Sequence, residues 1–195
     1  TIVGEGKEMA NIVFQENGAL LPESPKSAVT RFDFGNTIIG QTSSYTFLLT
    51  NTGSLAATRV EIGGFRSAYS IDTSPSPAPS PAACTGTVSG NNFDIDDLAP
   101  AASCTITIVF ETAERGLKQI SLSFTYRDTV KTNNASYIVK GYSKSAANLS
   151  ILPSPQYDFG RVVIGDDNTK AITIKNNGDT STSISSANYD TISDA

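Results

Sequence analysis

The sequence predicts an all-β protein built from antiparallel β-sandwich units. Three observations support this: period-two strand patterns dominate the chain, turn residues recur between them, and one stretch of sequence is repeated. The 195 residues are 38% hydrophobic and only 17% charged, which is enough apolar content for a folded core. The leaning toward Ser, Thr, Asn and Gly suits half-buried strands joined by turns better than it suits helices.

Period-two alternation locates the strands. Residues 44–50, 104–110 and 120–126 place apolar side chains on one face and mostly Ser or Thr on the other. Shorter strands are expected around residues 60–62, 69–71, 93–95 and 137–139. About eight strands separated by turn residues between 31 and 141 are typical of an antiparallel sandwich. The only candidate helix is the short stretch 7–15.

The repeated stretch carries the same residue types at a constant offset. Phe34, Gly40 and Gly53 recur as Phe159, Gly165 and Gly178, in each case 125 residues later. The full set is Phe34, Gly35, Gly40, Asn51 and Gly53 in the first copy, and Phe159, Gly160, Gly165, Asn176 and Gly178 in the second. A constant offset predicts a repeated structural unit. Asn and Gly tolerate the positive φ of tight reversals, so we expect an architectural role, with the two phenylalanines plugging the core.

The junctions between units repeat as well, since Ala10-Asn11 resembles Ala147-Asn148. We therefore predict this division: 1–12 the last strand of a preceding unit, 13–29 a linker, 30–143 a complete sandwich, 144–155 a second linker, and 156–195 the first part of another unit. Residues 153–195 are too few for two sheets, and half a sandwich leaves an apolar face and a sheet edge uncovered. We expect a longer parent chain, or strands of a neighbour, to complete this segment.

The two cysteines, Cys84 and Cys104, admit two interpretations. A disulfide would stabilise the fold by about 3 kcal/mol in the loop-entropy model, and the low-charge, Ser/Thr-rich strands favour the exported proteins in which disulfides persist. The alternative is a pair of buried free thiols in a cytosolic protein. A zinc site is excluded because the chain has no further Cys and no His.

The motifs resemble a known family. Phe-Asp-Phe-Gly at residues 32–35, a Gly five residues later, and a strand ending in Asn-Thr-Gly at 51–53 resemble the bacterial choice-of-anchor D repeat. That family is related to hydin-type and major-sperm-protein-like immunoglobulin sandwiches. Residues 98–108 are similar to the family's L-x-P-G-x-S-C-T-I segment, with Ala101 where Gly is usual. The resemblance covers residues 30–142 and part of 156–180. It implies tandem immunoglobulin-like sandwiches in an exported bacterial surface protein, without enzymatic activity, and a structural disulfide between Cys84 and Cys104.

Composition excludes several functions. A net charge of −5 and a pI near 4.7 argue against nucleic-acid binding, which needs clustered Lys and Arg. No apolar run approaches the roughly 18 residues of a membrane-spanning helix, so we expect no membrane insertion by this segment. Because His is absent, nucleophilic catalysis lacks its usual base, and no carboxylate pair stands out. We expect no enzyme activity and no cofactor.

Two features leave binding open. The acidic run 94–97 lacks the Gly and Glu of a helix-loop-helix calcium loop, so we expect a surface turn, although an irregular calcium site with Asp72 or residues 166–167 stays open. The proline-rich loop 73–83 prefers an extended conformation outside a sheet interior. This loop could bind carbohydrate or protein together with Tyr69.

Taken together, the sequence predicts a non-enzymatic structural stalk or adhesion module that presents a binding tip. We expect an extracellular or cell-surface location, with the periplasm as an open alternative. Expected partners are other domains of the parent chain and a cell-surface protein or glycan. The alternatives are a carbohydrate- or protein-binding module that uses loop 73–83, and an intracellular cytoskeletal scaffold of the hydin type.

Overall fold

The computed structural model describes residues 9–16, 19–20, 30–75, 80–129, 131–152, 158, 160–167 and 169–185. Within these residues every regular element is a β-strand. The chain divides into two compact units, unit 1 over residues 1–143 and unit 2 over residues 144–195. The predicted all-β fold is confirmed.

Two sheets make up unit 1. Their strands are β1 (Ile12–Glu16), β2 (Ala19–Leu20), β3 (Thr30–Ile38), β4 (Thr42–Asn51), β5 (Thr58–Gly63), β6 (Tyr69–Asp72), β7 (Gly86–Ser89), β8 (Asn92–Ile95), β9 (Ser103–Glu111), β10 (Gly116–Arg127) and β11 (Thr132–Lys144). The first sheet has the order β2-β1-β4-β9-β6, and the second has the order β3-β11-β10-β5-β8-β7. Each order departs from chain order, as it does in Greek-key sandwiches.

The longest ladders lie at the centre of the two sheets. Strand β4 pairs antiparallel with β9, from Thr42 opposite Glu111 to Thr50 opposite Ser103. Strands β10 and β11 form a long antiparallel hairpin. Strands β4, β9 and β10 were predicted from alternation, because their inward residues are large and apolar while their outward residues are mostly Ser and Thr. The structure adds how these strands pair.

An aromatic cluster fills the space between the two sheets of unit 1. Phe14 on β1 stacks on Phe47 with ring centroids 4.6 Å apart, and it also meets Phe124 of the opposite sheet at 4.7 Å. Phe14, Phe47 and Phe110 are almost completely buried. Removing one such side chain from water contributes about 1.5–3 kcal/mol, so these rings are a main source of cohesion between the sheets.

Strand β1 lies in a part of the chain that the sequence analysis divided differently. Ile12 lies opposite Asn51 on β4, and Phe14 enters the core, so residues 12–16 form a strand of unit 1 and are not part of a linker over 13–29. The stretch 7–15, considered as a helix, is extended from residue 12 onward. The reason is the alternation of Ile12 and Phe14 with Val13 and Gln15, which is the period of a strand.

Unit 2 contains a two-stranded antiparallel sheet of β12 (Leu149–Leu152) and β13 (Thr173–Asn176). Residues 149–152 therefore form a strand inside the stretch predicted as the second linker, 144–155. None of the described side chains between 144 and 185 is buried.

Candidate functional site

The repeated motif forms a hydrogen-bonded corner around Asn51, at the end of β4. The Asn51 side chain is fully buried. Its Oδ1 accepts hydrogen bonds from the backbone N–H groups of Asn11 and Gly53, both at 3.1 Å. Its Nδ2 donates to the carbonyl oxygens of Leu55 at 2.8 Å and Leu98 at 2.9 Å. Since an amide offers two donors and two acceptor positions, this side chain is satisfied on all four.

Gly53 lets the incoming chain pass close to this corner. A Cβ at this position would lie 2.0 Å from the carbonyl oxygen of Met9, a distance no side chain tolerates. The N–H of Thr52 donates to the carbonyl oxygen of Asn11 at 2.8 Å, and the Asn11 side chain donates to Thr52 Oγ1 at 3.0 Å. The corner thus fastens the start of β1 to the end of β4.

The segment before β9 completes the corner. The N–H of Ala101 donates to the carbonyl oxygen of Asn51 at 2.8 Å, and the N–H of Asn51 donates to the carbonyl oxygen of Ala102 at 3.0 Å. Ala101 adopts φ 60°, in the left-handed region that a Cβ disfavours. A Gly at this position would adopt the same conformation without that strain.

The two glycines near β3 have different positions. Gly40 has φ 78° and lies in the turn between β3 and β4. Gly35, with φ 73°, lies inside β3, so only Gly40 belongs to the connection between β3 and β4. The N–H of Gly35 donates to Asp33 Oδ1 at 2.8 Å. This hydrogen bond, together with the ammonium of Lys140 at 3.1 Å from the same carboxylate, lowers the pKa of Asp33.

Phe34 packs on the core from β3. Its ring centroid lies 5.8 Å from the rings of Phe110 and Tyr69, so this partly buried ring packs against the core at the end of β4 that lies away from Asn51. Its counterpart Phe159 lies outside the described residues.

The second copy reproduces the corner in unit 2. Asn176 Oδ1 accepts from the N–H groups of Asn148 at 3.1 Å and Gly178 at 2.9 Å, and Asn176 Nδ2 donates to Thr180 O at 2.8 Å. A Cβ on Gly178 would lie 2.0 Å from Ala146 O.

Both remaining glycines of the second copy also adopt positive φ. Gly160 has φ 69° and donates to Asp158 Oδ1 at 2.7 Å, and Gly165 has φ 92°. Sequence repetition therefore corresponds to repetition of local geometry.

A disulfide joins Cys84 to Cys104 on β9, with their Cα atoms 4.8 Å apart. Next to it the N–H of Cys84 donates to Thr105 O at 2.8 Å, and the N–H of Thr105 donates to Ala82 O at 3.0 Å. Of the two interpretations of the cysteines, the disulfide is confirmed. It fixes the end of the proline-rich loop to β9, an interior strand of the first sheet.

The chain enters and leaves unit 1 at opposite ends of the sandwich. It enters beside Asn51, at one end of β4. It leaves along β11, where the Cα of Gly141 comes so close to Phe110 that a Cβ would lie 2.7 Å from the ring. Phe110 pairs with Ser43 at the other end of β4. Ten residues of strand separate these two ends, which corresponds to about 30 Å.

Tyr69 belongs to the core and not to a binding surface. Only 3% of the residue is exposed, and its hydroxyl donates to Lys118 O at 2.8 Å, which links the two sheets. Burial, with a smaller contribution from the negative charge of Asp33, raises the pKa of Tyr69. The sequence-based idea that Tyr69 contacts a ligand with loop 73–83 is therefore not supported by its position.

Two of the acidic residues considered for calcium accept hydrogen bonds from backbone N–H groups. Asp97 Oδ1 accepts from the N–H of Arg59 at 3.3 Å, and Asp72 Oδ1 accepts from the N–H of Ser74 at 2.9 Å. Asp94 lies on β8. Among the residues that the structure describes, no three His, Cys, Asp or Glu side chains gather as a group that could hold a metal ion.

The sequence analysis missed one structural carboxylate, Asp128. It is nearly buried in the β10–β11 turn, where Oδ1 accepts from the N–H of Lys131 at 2.8 Å and Oδ2 accepts from Asn133 Nδ2 at 3.0 Å. An Asp that begins a turn is a known local signal, and it would have indicated the tight reversal here.

No family model matches the chain, and no curated protein matches it. Among solved structures, the chain is similar to the ASH/PapD-like domain 7 of human CEP192, with a TM-score of 0.44 and 14% identity over 74% of this chain and 92% of that one. It is also similar to the N-terminal domain of PorA (TM-score 0.37, 6% identity, 68% and 97% covered). A third is the CooA pilin subunit of enterotoxigenic Escherichia coli (TM-score 0.31, 9% identity, 68% and 97% covered). We base no functional inference on similarities of this size.

In the part of the chain that the structure describes, no helix is long and apolar enough to cross a membrane.

Proposed function

We propose that this chain is a non-enzymatic structural segment of an exported surface protein, in which immunoglobulin-like units follow one another and hold a binding tip away from the cell. Its partners are then the neighbouring domains of the same parent chain and, at the tip, a cell-surface protein or glycan. The repeated residues serve this role as corner and core elements, since each described one makes backbone hydrogen bonds, adopts a turn conformation or packs on the core.

The observation that carries this proposal is the course of the chain through unit 1. The chain enters beside Asn51 and leaves at the opposite end of β4, and the motif that fastens the incoming strand recurs at Asn148, soon after β11 ends. A unit that the chain enters at one end and leaves at the other can be followed directly by a further unit. The Cys84–Cys104 disulfide supports export, because such bonds persist in oxidising compartments.

The location is tested on intact cells of the source organism. A membrane-impermeant amine-labelling reagent should modify the protein before lysis, and an alkylating reagent should modify Cys84 and Cys104 only after reduction. A known cytosolic protein from the same cells serves as the control. Labelling only after lysis, together with free thiols, would favour the intracellular scaffold of the hydin type over the proposal.

A second candidate function is direct binding of carbohydrate or protein by loop 73–83. The described ends of this loop are held by hydrogen bonds: the N–H of Ser74 donates to Asp72 Oδ1, and Thr105 Oγ1 on β9 donates to Pro81 O at 3.2 Å. Its residues 76–79 lie outside the described residues. A glycan-array or pull-down signal that disappears when residues 75–80 are replaced by a short Gly-Ser segment would support this candidate, and an unchanged signal would exclude it.

A further inference from the structure

Strand β5 contains a β-bulge in which an arginine adopts a backbone conformation that usually requires glycine. Glu61 lies opposite Thr125 and Thr58 lies opposite Arg127, so over this interval β5 has one residue more than β10. Arg59 lies within the interval and adopts φ 52°. In a β-bulge of this kind the left-handed position is normally occupied by Gly, because a Cβ is disfavoured there. The backbone at Arg59 is therefore strained.

The bulge adjoins a surface pocket that is rich in positive charge and that we call the cationic pocket. Its volume is about 290 Å³, and the residues that line it are Thr58, Arg59, Arg127, Asp128, Thr129 and Lys131. The three basic residues are exposed, and among the described residues none of them forms an ion pair with a carboxylate. Asp128 accepts hydrogen bonds on both oxygens, from the N–H of Lys131 and from Asn133 Nδ2. Positive charges thus outnumber negative ones by three to one in this lining.

The cations of this pocket come from three parts of the chain that strand pairing brings together. Arg59 lies on β5, Arg127 ends β10, and Lys131 lies just before β11. Thr58 Oγ1 donates to Arg127 O at 3.2 Å, and the N–H of Arg59 donates to Asp97 Oδ1 at 3.3 Å. A strained backbone and neighbouring like charges both cost stability. Their coincidence at one place indicates that the pocket attracts a negatively charged ligand.

A second pocket shares Lys131 with the first, and we call it the amide pocket. Its volume is about 560 Å³, and its polar lining includes Asn11, Thr52, Asn133 and Asn134, together with Tyr126. Asn11 and Asn133 each donate one hydrogen bond within the chain, which holds their amides in place. Such an amide keeps further donor and acceptor positions, which suit the hydroxyl groups of a sugar. A peptide ligand would instead need apolar pockets for its side chains.

We propose that the two adjoining pockets bind an acidic carbohydrate. A carboxylate or sulfate group of the sugar lies between Arg59, Arg127 and Lys131, and its hydroxyl groups contact the amide pocket. Guanidinium groups bind such oxyanions through paired, charge-assisted hydrogen bonds, and the amides provide orientation. The site belongs to unit 1 itself, so this inference does not depend on export or on the stalk role.

The test uses the full chain, labelled with nitrogen-15, and hexasaccharides that differ in charge. The probes are a neutral chitin hexasaccharide, a chondroitin hexasaccharide that carries carboxylates, and its sulfated form. We expect saturable chemical-shift changes at the backbone amides of Arg59, Arg127 and Lys131 with the acidic probes and none with the neutral one. The comparison of the two acidic probes shows whether sulfate adds to the affinity of the carboxylate. A hexaglutamate peptide should bind at least about tenfold more weakly, because it offers charge without sugar hydroxyls.

Charge-removing variants locate the site. Arg127→Gln and Lys131→Gln should each weaken binding of the acidic hexasaccharides about tenfold, which corresponds to the loss of one charge-assisted hydrogen bond. Arg66→Gln is the matched control, since it removes the same charge from an exposed residue that lines neither of the two pockets. Its binding should equal that of the wild type. Equal losses in all three variants would show that net charge alone determines binding.

Arg59→Gly separates a binding role of Arg59 from a structural one. Because Gly adopts φ 52° without strain, the variant should unfold at a temperature no lower than the wild type and yet bind the acidic hexasaccharides about tenfold more weakly. A lower unfolding temperature with unchanged binding would mean that Arg59 serves the bulge alone, and it would overturn the proposal. Absence of binding by both acidic probes, shifts confined to residues outside the two pockets, or hexaglutamate binding as tight as that of the sugars would overturn it as well.

Discussion

The corner around Asn51 in unit 1 and the corner around Asn176 in unit 2 share their hydrogen-bond pattern and differ in burial. In both, Oδ1 accepts two backbone N–H groups and Nδ2 donates to the carbonyl four residues later. Asn51 is fully buried and also donates to Leu98 O, whereas Asn176 is exposed. The corner geometry is thus set locally, and its energetic value is set by the strands that cover it.

The largest expected difference between the two corners follows from removing the amide. Asn51→Ala should destabilise unit 1 by about 3–5 kcal/mol, because several buried backbone groups lose their partner together. Asn176→Ala should change the exchange protection of β12 and β13 by less than about 1 kcal/mol, because water replaces the lost bonds. Urea denaturation monitored by circular dichroism measures the first and hydrogen exchange the second. Equal losses at the two positions would contradict the role given to burial.

The next largest difference between the two units is expected when the disulfide is reduced. Breaking the bond between Cys84 and Cys104 should destabilise unit 1 by about 3 kcal/mol and leave amide exchange in β12 and β13 unchanged. Denaturation with and without reductant measures the effect, and the double variant Cys84→Ser/Cys104→Ser provides the control, since reductant should not alter its stability. A reductant effect on that variant would show that the loss has another cause.

Alkaline pH tests the contact between the sheets of unit 1 at Tyr69. The pKa of this phenol is raised in the folded chain, above about 10 in the unfolded chain, so its contribution is complete below pH 10 and is lost as the pH rises beyond that value. Tyr69→Phe should cost about 1 kcal/mol at pH 7 through the lost bond to Lys118 O. The variant should also lose less stability than the wild type between pH 9 and 11. If the stability of the two proteins fell equally with rising pH, the loss would not come from the ionisation of Tyr69.

The smallest expected effect concerns the segment that covers the first corner. Ala101→Gly should stabilise unit 1 by about 0.5–1 kcal/mol, because Gly relieves the strain of the left-handed backbone at φ 60°. Ala102→Gly is the matched control and should destabilise, since Ala102 is not among the residues with positive φ and Gly adds only entropy to the unfolded chain. Thermal unfolding measures both, and a destabilising Ala101→Gly would show that the strain is not released.

The repeat and the alternation predicted most of the fold for identifiable reasons. The strands around residues 44–50, 104–110 and 120–126 were correct because one face of each is buried, so the period-two pattern is strong. The spacing of Asn51 and Gly53, repeated in Asn176 and Gly178, predicted a repeated structural unit, and Asn and Gly determine the geometry of its corner through local hydrogen bonds.

The remaining features depend on long-range contacts that no local pattern encodes. Residues 12–16 are too few to reveal that they add to β4, and only Phe14 meeting Phe124 shows that they belong to unit 1. Tyr69 looked like a residue of a binding loop because it precedes the proline-rich segment, and its burial follows from Lys118 on another strand. The sequence favoured a disulfide over free thiols, and only the structure shows that Cys84 and Cys104 meet in space.

The covalent link between Cys84 and β9 has a mechanical consequence. If a pulling force unravelled unit 1, the 20 residues of sequence separation between the two sulfurs would stay in a closed ring and could not extend. At about 3.5 Å for each stretched residue, the disulfide shortens the fully extended chain by about 70 Å. A chain under tension would therefore extend less in an oxidising medium than in a reducing one.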